Sequence, residues 1–271
     1  MVSAGLRLRT TLTEREVAEH CNHNADSWSQ RVRAGMDLYR EFYNNPAFLA
    51  FIGDLRGRVV LDVGCGEGYN TRVLARQGAS MTGADLSARM IDLARREEQR
   101  EPLGIRYEVA SFTDLSLFAD ASFDVAVSFM ALMDGPDFPG AARELRRLLR
   151  PGGELWFSIL HPCFMTKGFT WLHDQEGREI GLRVGRYFDD APWVEHWNFS
   201  MAPDAGEAEP FSVPRFDRTL SDYVNGLIEA GFFLHRIHEP RPTPEACAAH
   251  PWLVKWHDHA PLFLYFGAQR R

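Results

Sequence analysis

Apolar positions divide the chain into a helical N-terminal region and a longer region with a different pattern. Thr13 and Glu16 have the spacing of a capping box, and apolar residues between Trp28 and Tyr43 recur at helical intervals. Asn45-Pro46 predicts a new helix, with the asparagine as N-cap and the proline at the first helical position. We expect residues 1–57 to form a helical cover.

From residue 58 onward, short apolar runs alternate with amphipathic segments. Seven runs are predicted as strands, at residues 59–63, 80–84, 105–110, 123–128, 154–160, 232–237 and 262–266. Strands that are apolar on both faces and separated by helices indicate a mostly parallel sheet with helices on both sides. We therefore predict a doubly wound α/β domain over residues 58–271. Its ligand is expected beyond the carboxyl ends of the strands.

Residues 161–218 interrupt this alternation as an insertion after the fifth strand. Ten aromatic residues fall within it: Phe164, Phe169, Trp171, Tyr187, Phe188, Trp193, Trp197, Phe199, Phe211 and Phe216. Two interpretations remain open. The aromatic side chains line a pocket for a flat or apolar ligand, or they form a small core for the insertion itself.

Charge and composition restrict the partners. The formal net charge is -7, which disfavours a nucleic-acid backbone as the main partner. No apolar run reaches the roughly 18 residues of a membrane span, and residues 1–17 lack the apolar core of a secretory signal. Four dispersed cysteines show no metal spacing, so we expect a reducing cytoplasm and no metal. Arginine far outnumbers lysine, which favours a bacterial source; the oligomeric state is not predicted.

The segment after the first strand carries glycines at 64, 66 and 68. A dinucleotide-binding turn has the spacing G-x-G-x-x-G, which this segment does not match. Asp62 precedes the first glycine by two residues, where it would repel a pyrophosphate and suit a cationic ligand. Asp85 ends the second strand, where an acid can accept both hydroxyls of a ribose. Together these residues indicate a nucleoside with a cationic group and no phosphate.

At this point the chain resembles the class I S-adenosylmethionine-dependent methyltransferases of small-molecule type. The resemblance rests on Leu61-Asp62-Val63-Gly64-Cys65-Gly66-Glu67-Gly68, Gly83-Ala84-Asp85-Leu86-Ser87 with Met90, Ser122-Phe123-Asp124-Val125-Ala126-Val127-Ser128, and Leu148-Leu149-Arg150-Pro151-Gly152-Gly153. These segments follow the order of the family over residues 58–160. The resemblance implies S-adenosylmethionine as methyl donor and S-adenosylhomocysteine as product.

The resemblance also implies roles for individual residues. The backbone of Gly64, Cys65 and Gly66 would pack against the methionine part, with Asp62 near its ammonium group. Asp85 would bind the ribose hydroxyls, and Leu86 and Met90 would contact the adenine. Where the family often has an acid after the third strand, this chain has Ser111 and Phe112, with Asp114 as the rival. Ser128 is counted with the cofactor-binding residues. Trp28 closes the cover over the cofactor or packs on the sheet.

His161 directly follows the fifth strand and is the candidate general base. The alternative is a histidine that stabilises the turn before Pro162. Cys163 is a weaker candidate as nucleophile, and a buried inert thiol is the alternative. The predicted function is methyl transfer to an oxygen or carbon of an aromatic or apolar small molecule. The alternatives are N-methylation, cofactor binding without turnover, and a nicotinamide-dependent oxidoreductase.

Overall fold

The computed structural model describes residues 12–199 and 209–271. Residues 1–11, which include most of the segment used to exclude a secretory signal, and residues 200–208 of the insertion lie outside the described residues. The helices are α1 (Glu14–Arg33), α2 (Asn45–Ile52), α3 (Tyr69–Arg76), α4 (Ala88–Arg100), α5 (Phe138–Leu148), α6 (Leu220–Glu229), α7 (Pro244–Ala249) and α8 (Val254–Asp258). The strands are β1 (Val59–Val63), β2 (Ser80–Asp85), β3 (Arg106–Val109), β4 (Phe123–Phe129), β5 (Leu149–Leu160), β6 (Thr170–His173), β7 (Glu179–Arg183), β8 (Trp193–Trp197), β9 (Phe211–Arg215), β10 (Phe232–His238) and β11 (Phe263–Arg270).

Seven of these strands form one sheet in the order β10-β11-β5-β4-β1-β2-β3. Strands β1 to β5 pair in parallel, whereas β11 runs antiparallel to both of its neighbours, β5 and β10. The prediction of a doubly wound, mostly parallel seven-stranded sheet is confirmed. The carboxyl ends of the five parallel strands therefore meet at one edge.

The core lies on both faces of the sheet. Along β1, Val60 packs with Phe48 and Ile91 on one face. Leu61 and Val63 belong to the cluster on the other face, which includes residues of α5 and α6. This alternation follows from the two-residue period of a strand, and it explains why β1 reads as a continuous apolar run.

Helix α1 forms part of the predicted cover and lies against the sheet edge that holds the loops. Thr13 and Glu16 form the capping box that the sequence predicts. Asn24 Nδ2 donates to the carbonyl of Ser212 on β9 (2.8 Å), and the Ser212 N–H donates back to Asn24 Oδ1 (3.4 Å). Asn22 Oδ1 accepts a hydrogen bond from Ser87 Oγ (2.7 Å), at the N-cap of α4. Helix α1 is thus joined by side-chain hydrogen bonds to both the insertion and the main domain.

Helix α2 begins at Asn45 with Pro46 in its first turn, but the prediction of Asn45 as the N-cap of a new helix is wrong. The chain is already helical from residue 38, and a π-helical turn, Arg40–Asn44, leads into α2 without a break. The Asn45 N–H donates to the carbonyl of Arg40, five residues earlier. Proline has no N–H to donate, so it fits directly after this wide turn.

Within its described residues, the insertion contains two antiparallel strand pairs, which we call the β6–β7 and β8–β9 hairpins. Trp28 of α1 packs against three aromatic rings of the second hairpin region, at centroid distances of 5.4 to 5.5 Å: Trp197, Phe199 and Phe211. These residues form a separate small cluster with Val32. For this part of the insertion, the interpretation as a satellite core is the one that the geometry supports.

Candidate functional site

The glycine loop, residues 64–68, lies at the carboxyl edge between β1 and α3. Gly64 and Gly66 have φ values of +73° and +56°, which side chains other than glycine rarely tolerate. The N–H groups of Gly64 and Cys65 both donate to the carbonyl of Ala84 on β2, at 2.8 and 3.1 Å. A Cβ on Gly64 would lie 2.2 Å from Ala131 Cβ, whereas a Cβ on Gly66 would meet no atom within 4 Å. The loop therefore packs tightly against the turn after β4 on one side and leaves space above Gly66.

Asp85 connects this loop to helix α4. Its Oδ2 accepts from the Gly66 N–H and its Oδ1 from the Ser87 N–H, both at 2.8 Å. Burial raises the pKa of the Asp85 carboxyl, and these two hydrogen bonds oppose the shift. Each carboxylate oxygen can accept more than one hydrogen bond, so acceptor capacity remains for ligand hydroxyls.

Asp62 is almost completely buried, with an exposed fraction of 1%. Its Oδ2 accepts from Thr71 Oγ1 at 2.6 Å, but its Oδ1 has no hydrogen-bond partner among the described residues. Burial raises the pKa of Asp62 to about 7, while the Thr71 hydrogen bond opposes the rise and the charge of Asp85 adds to it. A buried carboxylate oxygen without a donor is costly unless a ligand supplies one. Together with the space above Gly66, this oxygen fits a ligand that brings an ammonium group.

The residues expected around the adenine lie near the same edge. Met90 is buried on α4, Leu86 is half-buried, and the half-buried Phe112 ring lies against the backbone of Gly135. Ser111 Oγ donates to Glu14 Oε1 of α1 (2.9 Å), and it also accepts from the Thr113 N–H (3.1 Å). The Ser111 hydroxyl is thus already engaged within the protein.

Asp114, the rival of Ser111, accepts from the Ser116 N–H (3.2 Å), and its hydrogen bonds with Ser116 lower the pKa of its carboxyl. It stabilises a turn. Glu14, which no motif singled out, is the carboxylate that reaches the loop after β3. Glu14 lies between the capping-box residues Thr13 and Glu16, a position that predicts only a place in the first turn of a helix.

Two further residues of the predicted cofactor set have other contacts. The buried Ser128 Oγ donates to the carbonyl of Val63 (2.8 Å) and so joins β4 to β1. The half-buried Trp28 ring belongs to the aromatic cluster with the β8–β9 hairpin. Arg33 of α1, by contrast, reaches the glycine loop, where its Nη2 lies 2.6 Å from Oε2 of the buried Glu67. No local pattern pointed to this ion pair.

His161 is buried at the end of β5, and both of its ring nitrogens have partners. The Cys163 N–H donates to Nδ1 (3.2 Å), and Nε2 lies 2.8 Å from Glu239 Oε1. Because Nδ1 accepts, the proton of the neutral ring resides on Nε2 and is donated to Glu239. Burial lowers the pKa of His161, and the contact with Glu239 opposes this shift. A role as base would require the ring to give up one of these hydrogen bonds.

A cleft opens beyond the ends of β4 and β5, under the insertion. It is lined by Met133, Leu160, Pro162, Met165, Thr166, Arg186, Tyr187, Arg215, Phe216, Asp217, Arg218 and Tyr223. Of the ten aromatic residues of the insertion, only Tyr187 and Phe216 are among them. The cleft is therefore less apolar than a pocket lined by the whole aromatic set would be, since three arginines also face it.

Within residues 12–199 and 209–271, no group of three or more histidine, cysteine, aspartate or glutamate side chains is arranged to bind a metal ion. Within the same ranges, no helix combines the length and the apolar character of a membrane span.

Comparisons with known proteins agree with this geometry. Residues 61–157 match a family model described as a methyltransferase domain. The crystal structure of an S-adenosylmethionine-dependent methyltransferase from Mesorhizobium loti is 31% identical, with a TM-score of 0.67 over 83% of this chain and 96% of that one. An uncharacterized protein of Haemophilus influenzae is 25% identical over 89% of this chain and 92% of its own length.

A further relative is a ubiquinone biosynthesis O-methyltransferase of Coxiella burnetii, which is 34% identical over 129 residues. That alignment covers 46% of this chain and 55% of the relative, so the chain spans about half of that enzyme's length. These similarities set aside a nicotinamide-dependent oxidoreductase. The chain belongs to the class I S-adenosylmethionine-dependent methyltransferases, and S-adenosylmethionine is its methyl donor.

Proposed function

We propose that the enzyme methylates an oxygen or carbon of a small aromatic or apolar molecule, with nitrogen as the second choice of acceptor atom. The observation that carries this proposal is the position of the cleft. Met133 follows β4 and Leu160 ends β5, so the cleft begins at the same edge as the glycine loop. Ala131 touches the position of Gly64 and lies two residues before Met133. An acceptor in the cleft is therefore close to the donor site.

The donor is proposed to lie along the glycine loop. Asp62 would accept from its ammonium group, Asp85 would accept from its ribose hydroxyls, and the backbone at Gly64, Cys65 and Gly66 would face its methionine part. Leu86, Met90 and Phe112 would contact the adenine. When bound, the donor supplies an electrophilic methyl group on a sulfonium. The protein's own contribution is to position the acceptor in line with that group and to exclude water.

Three features support a small acceptor. The net charge of -7 disfavours a nucleic-acid backbone. The insertion covers the cleft, and the rings of Tyr187 and Phe216 offer flat apolar surface. The alignment with a ubiquinone biosynthesis O-methyltransferase is consistent with an oxygen acceptor, although it covers only 46% of this chain.

The direct test is incubation with methyl-labelled S-adenosylmethionine and a bacterial metabolite extract, followed by mass spectrometry. We expect label in a small organic product. A Gly64→Ala variant, whose new Cβ would collide with Ala131 and prevent donor binding, provides the background. Label found only in RNA or protein would contradict the proposal.

His161→Gln tests the base role that the sequence predicts for this residue. We expect the free energy of unfolding to fall by about 1–3 kcal/mol, because two buried hydrogen bonds are weakened. Transfer per folded molecule should stay within a few-fold of the unaltered enzyme, since neither ring nitrogen is free. Urea unfolding and the labelled-donor assay measure the two quantities, with His196→Gln on the β8–β9 hairpin as control. A decrease in transfer of about 10²–10⁴-fold at unchanged stability would instead support His161 as the base.

A further inference from the structure

Asp134 carries a carboxylate oxygen that has no hydrogen-bond donor among the described residues. It ends the 3-10 turn Leu132–Asp134 that follows β4. Its Oδ1 atom is buried and accepts no hydrogen bond from the described part of the chain. A buried carboxylate oxygen without a donor lowers the stability of the folded protein, so its presence needs an explanation. A donor that arrives with a substrate would provide one.

The turn that holds Asp134 lies between the glycine loop and the cleft. The Asp134 N–H donates to the carbonyl of Ala131 (2.9 Å), and Ala131 is the residue that touches the Gly64 position. Met133 and Arg218 both line the cleft. Arg218 donates to the carbonyls of Met133 (3.4 Å) and Gly135, the residues on either side of Asp134. The segment that ends at Asp134 thus contacts the glycine loop through Ala131 and the cleft through Met133.

Groups from several elements face this carboxylate. They are Cys21 on α1, Glu195 on β8, Arg215 on β9, Arg218, and Tyr223 on α6. Burial raises the pKa of Asp134 to about 7, and Glu195 adds to the rise while Arg215 and Arg218 oppose it. Both Asp85 and Asp134 interact electrostatically with the Cys21 thiol and add to the rise that burial causes in its pKa. A carboxylate that titrates near neutral pH is suited to accept a proton during catalysis.

On the basis of the proposed function, we infer that Asp134 is the general base of this enzyme and that the acceptor presents a phenolic or enolic hydroxyl to its Oδ1. The acceptor oxygen forms a bond to the methyl carbon while the carbon–sulfur bond breaks. The electron pair of that bond stays on sulfur, and the hydroxyl proton passes to Asp134. The positive charge of the sulfonium and the negative charge of the carboxylate disappear together, so the charges balance.

The test compares the unaltered enzyme with Asp134→Asn on a panel of small phenols at about pH 8. Alkylphenols, with a pKa of about 10 like that of tyrosine, remain protonated there, whereas nitrophenols are already ionised. We expect the variant to lose about 100-fold in transfer to alkylphenols and no more than a few-fold to nitrophenols. The rise in rate of the unaltered enzyme through neutral pH should be absent from the variant. Calorimetric titration with S-adenosylhomocysteine should give the same affinity for both.

Asp137→Asn is the matched control. This exposed residue is three positions away and caps α5, and asparagine also serves as an N-cap. An equal loss toward both kinds of phenol, or a weaker affinity for S-adenosylhomocysteine in Asp134→Asn, would overturn the role of Asp134 as base. The proposed function would still stand. If the unaltered enzyme labels metabolites of the extract but no hydroxyl group, the hydroxyl acceptor is wrong and this inference fails while methyl transfer to small molecules stands. If the extract contains no labelled small molecule either, the proposed function itself fails.

Discussion

Gly64→Ala is expected to abolish measurable binding of S-adenosylhomocysteine and to lower the stability of the fold. The new Cβ would lie 2.2 Å from Ala131 Cβ, far inside van der Waals contact. The φ of +73° adds about 1–2 kcal/mol of strain for a residue with a side chain. Hydrogen bonds restrain the backbone at both Gly64 and Ala131. The Gly64 N–H is bonded to the carbonyl of Ala84, and the Ala131 carbonyl accepts from Asp134. The alanine therefore displaces either the glycine loop or the turn after β4.

Calorimetric titration with S-adenosylhomocysteine and urea unfolding measure the two effects. Gly57→Ala is the matched control, since its φ is +74° and its Cβ would meet nothing within 4 Å. The control should show the cost of the backbone conformation without the collision. Full affinity in Gly64→Ala, together with a stability equal to that of Gly57→Ala, would show that the contact with Ala131 does not constrain the loop.

Asp62→Asn is expected to act in opposite directions on binding and on stability. A hydrogen bond to a charged group contributes about 1.5–3 kcal/mol, so loss of the carboxylate should weaken binding of S-adenosylhomocysteine about 10- to 150-fold. The ligand-free protein should become more stable at neutral pH. In the folded chain the pKa of Asp62 is about 7 in place of the ordinary 3.8, so the folded state keeps a proton that the unfolded chain has lost. That difference lowers stability as pH rises from about 4 to about 7, and the cost stays constant above this range.

Asparagine does not titrate and can still accept from Thr71, so the gain in stability should be small at pH 4 and largest above pH 7. Urea unfolding over this pH range tests the sign. Asp54→Asn is the control, because this carboxylate is exposed and lies 3.8 Å from Arg56 in a surface loop. Unchanged affinity for S-adenosylhomocysteine in Asp62→Asn would remove Asp62 from the donor site.

The sequence predicts the sheet because its central strands, such as β1 and β4, are local and largely apolar runs. The run at 59–63 matches β1 in both bounds, and the others differ at their ends by a few residues. Helices α7 and α8 were not predicted. They contain six and five residues and lie in a segment rich in proline and histidine, so no helical period could be recognised. The π-helical turn before Pro46 was missed because no simple spacing of apolar residues marks it.

Some residues of the site could likewise be predicted from the sequence, and others could not. Asp62, the glycine loop and Asp85 follow consecutive strands, so the fold class alone brings them together. The partners of Ser111 and His161 could not be predicted, because Glu14 and Glu239 are 97 and 78 residues away along the chain. Asp134 does not stand out in the sequence, for a different reason. An aspartate in a short turn is ordinary in sequence, and only burial without a donor distinguishes it.

The place of β11 in the sheet has a consequence for how the domain is completed during translation. Strand β10 is synthesised before β11, yet β11 is the strand that joins β10 to the rest of the sheet. Residues 263–270 must therefore be synthesised before β10 can pair with the sheet. Strand β5, whose last residue lines the cleft, also has no partner on its outer side until β11 is made. Completion of the acceptor side of the enzyme thus depends on a strand that is made after every other strand of the sheet.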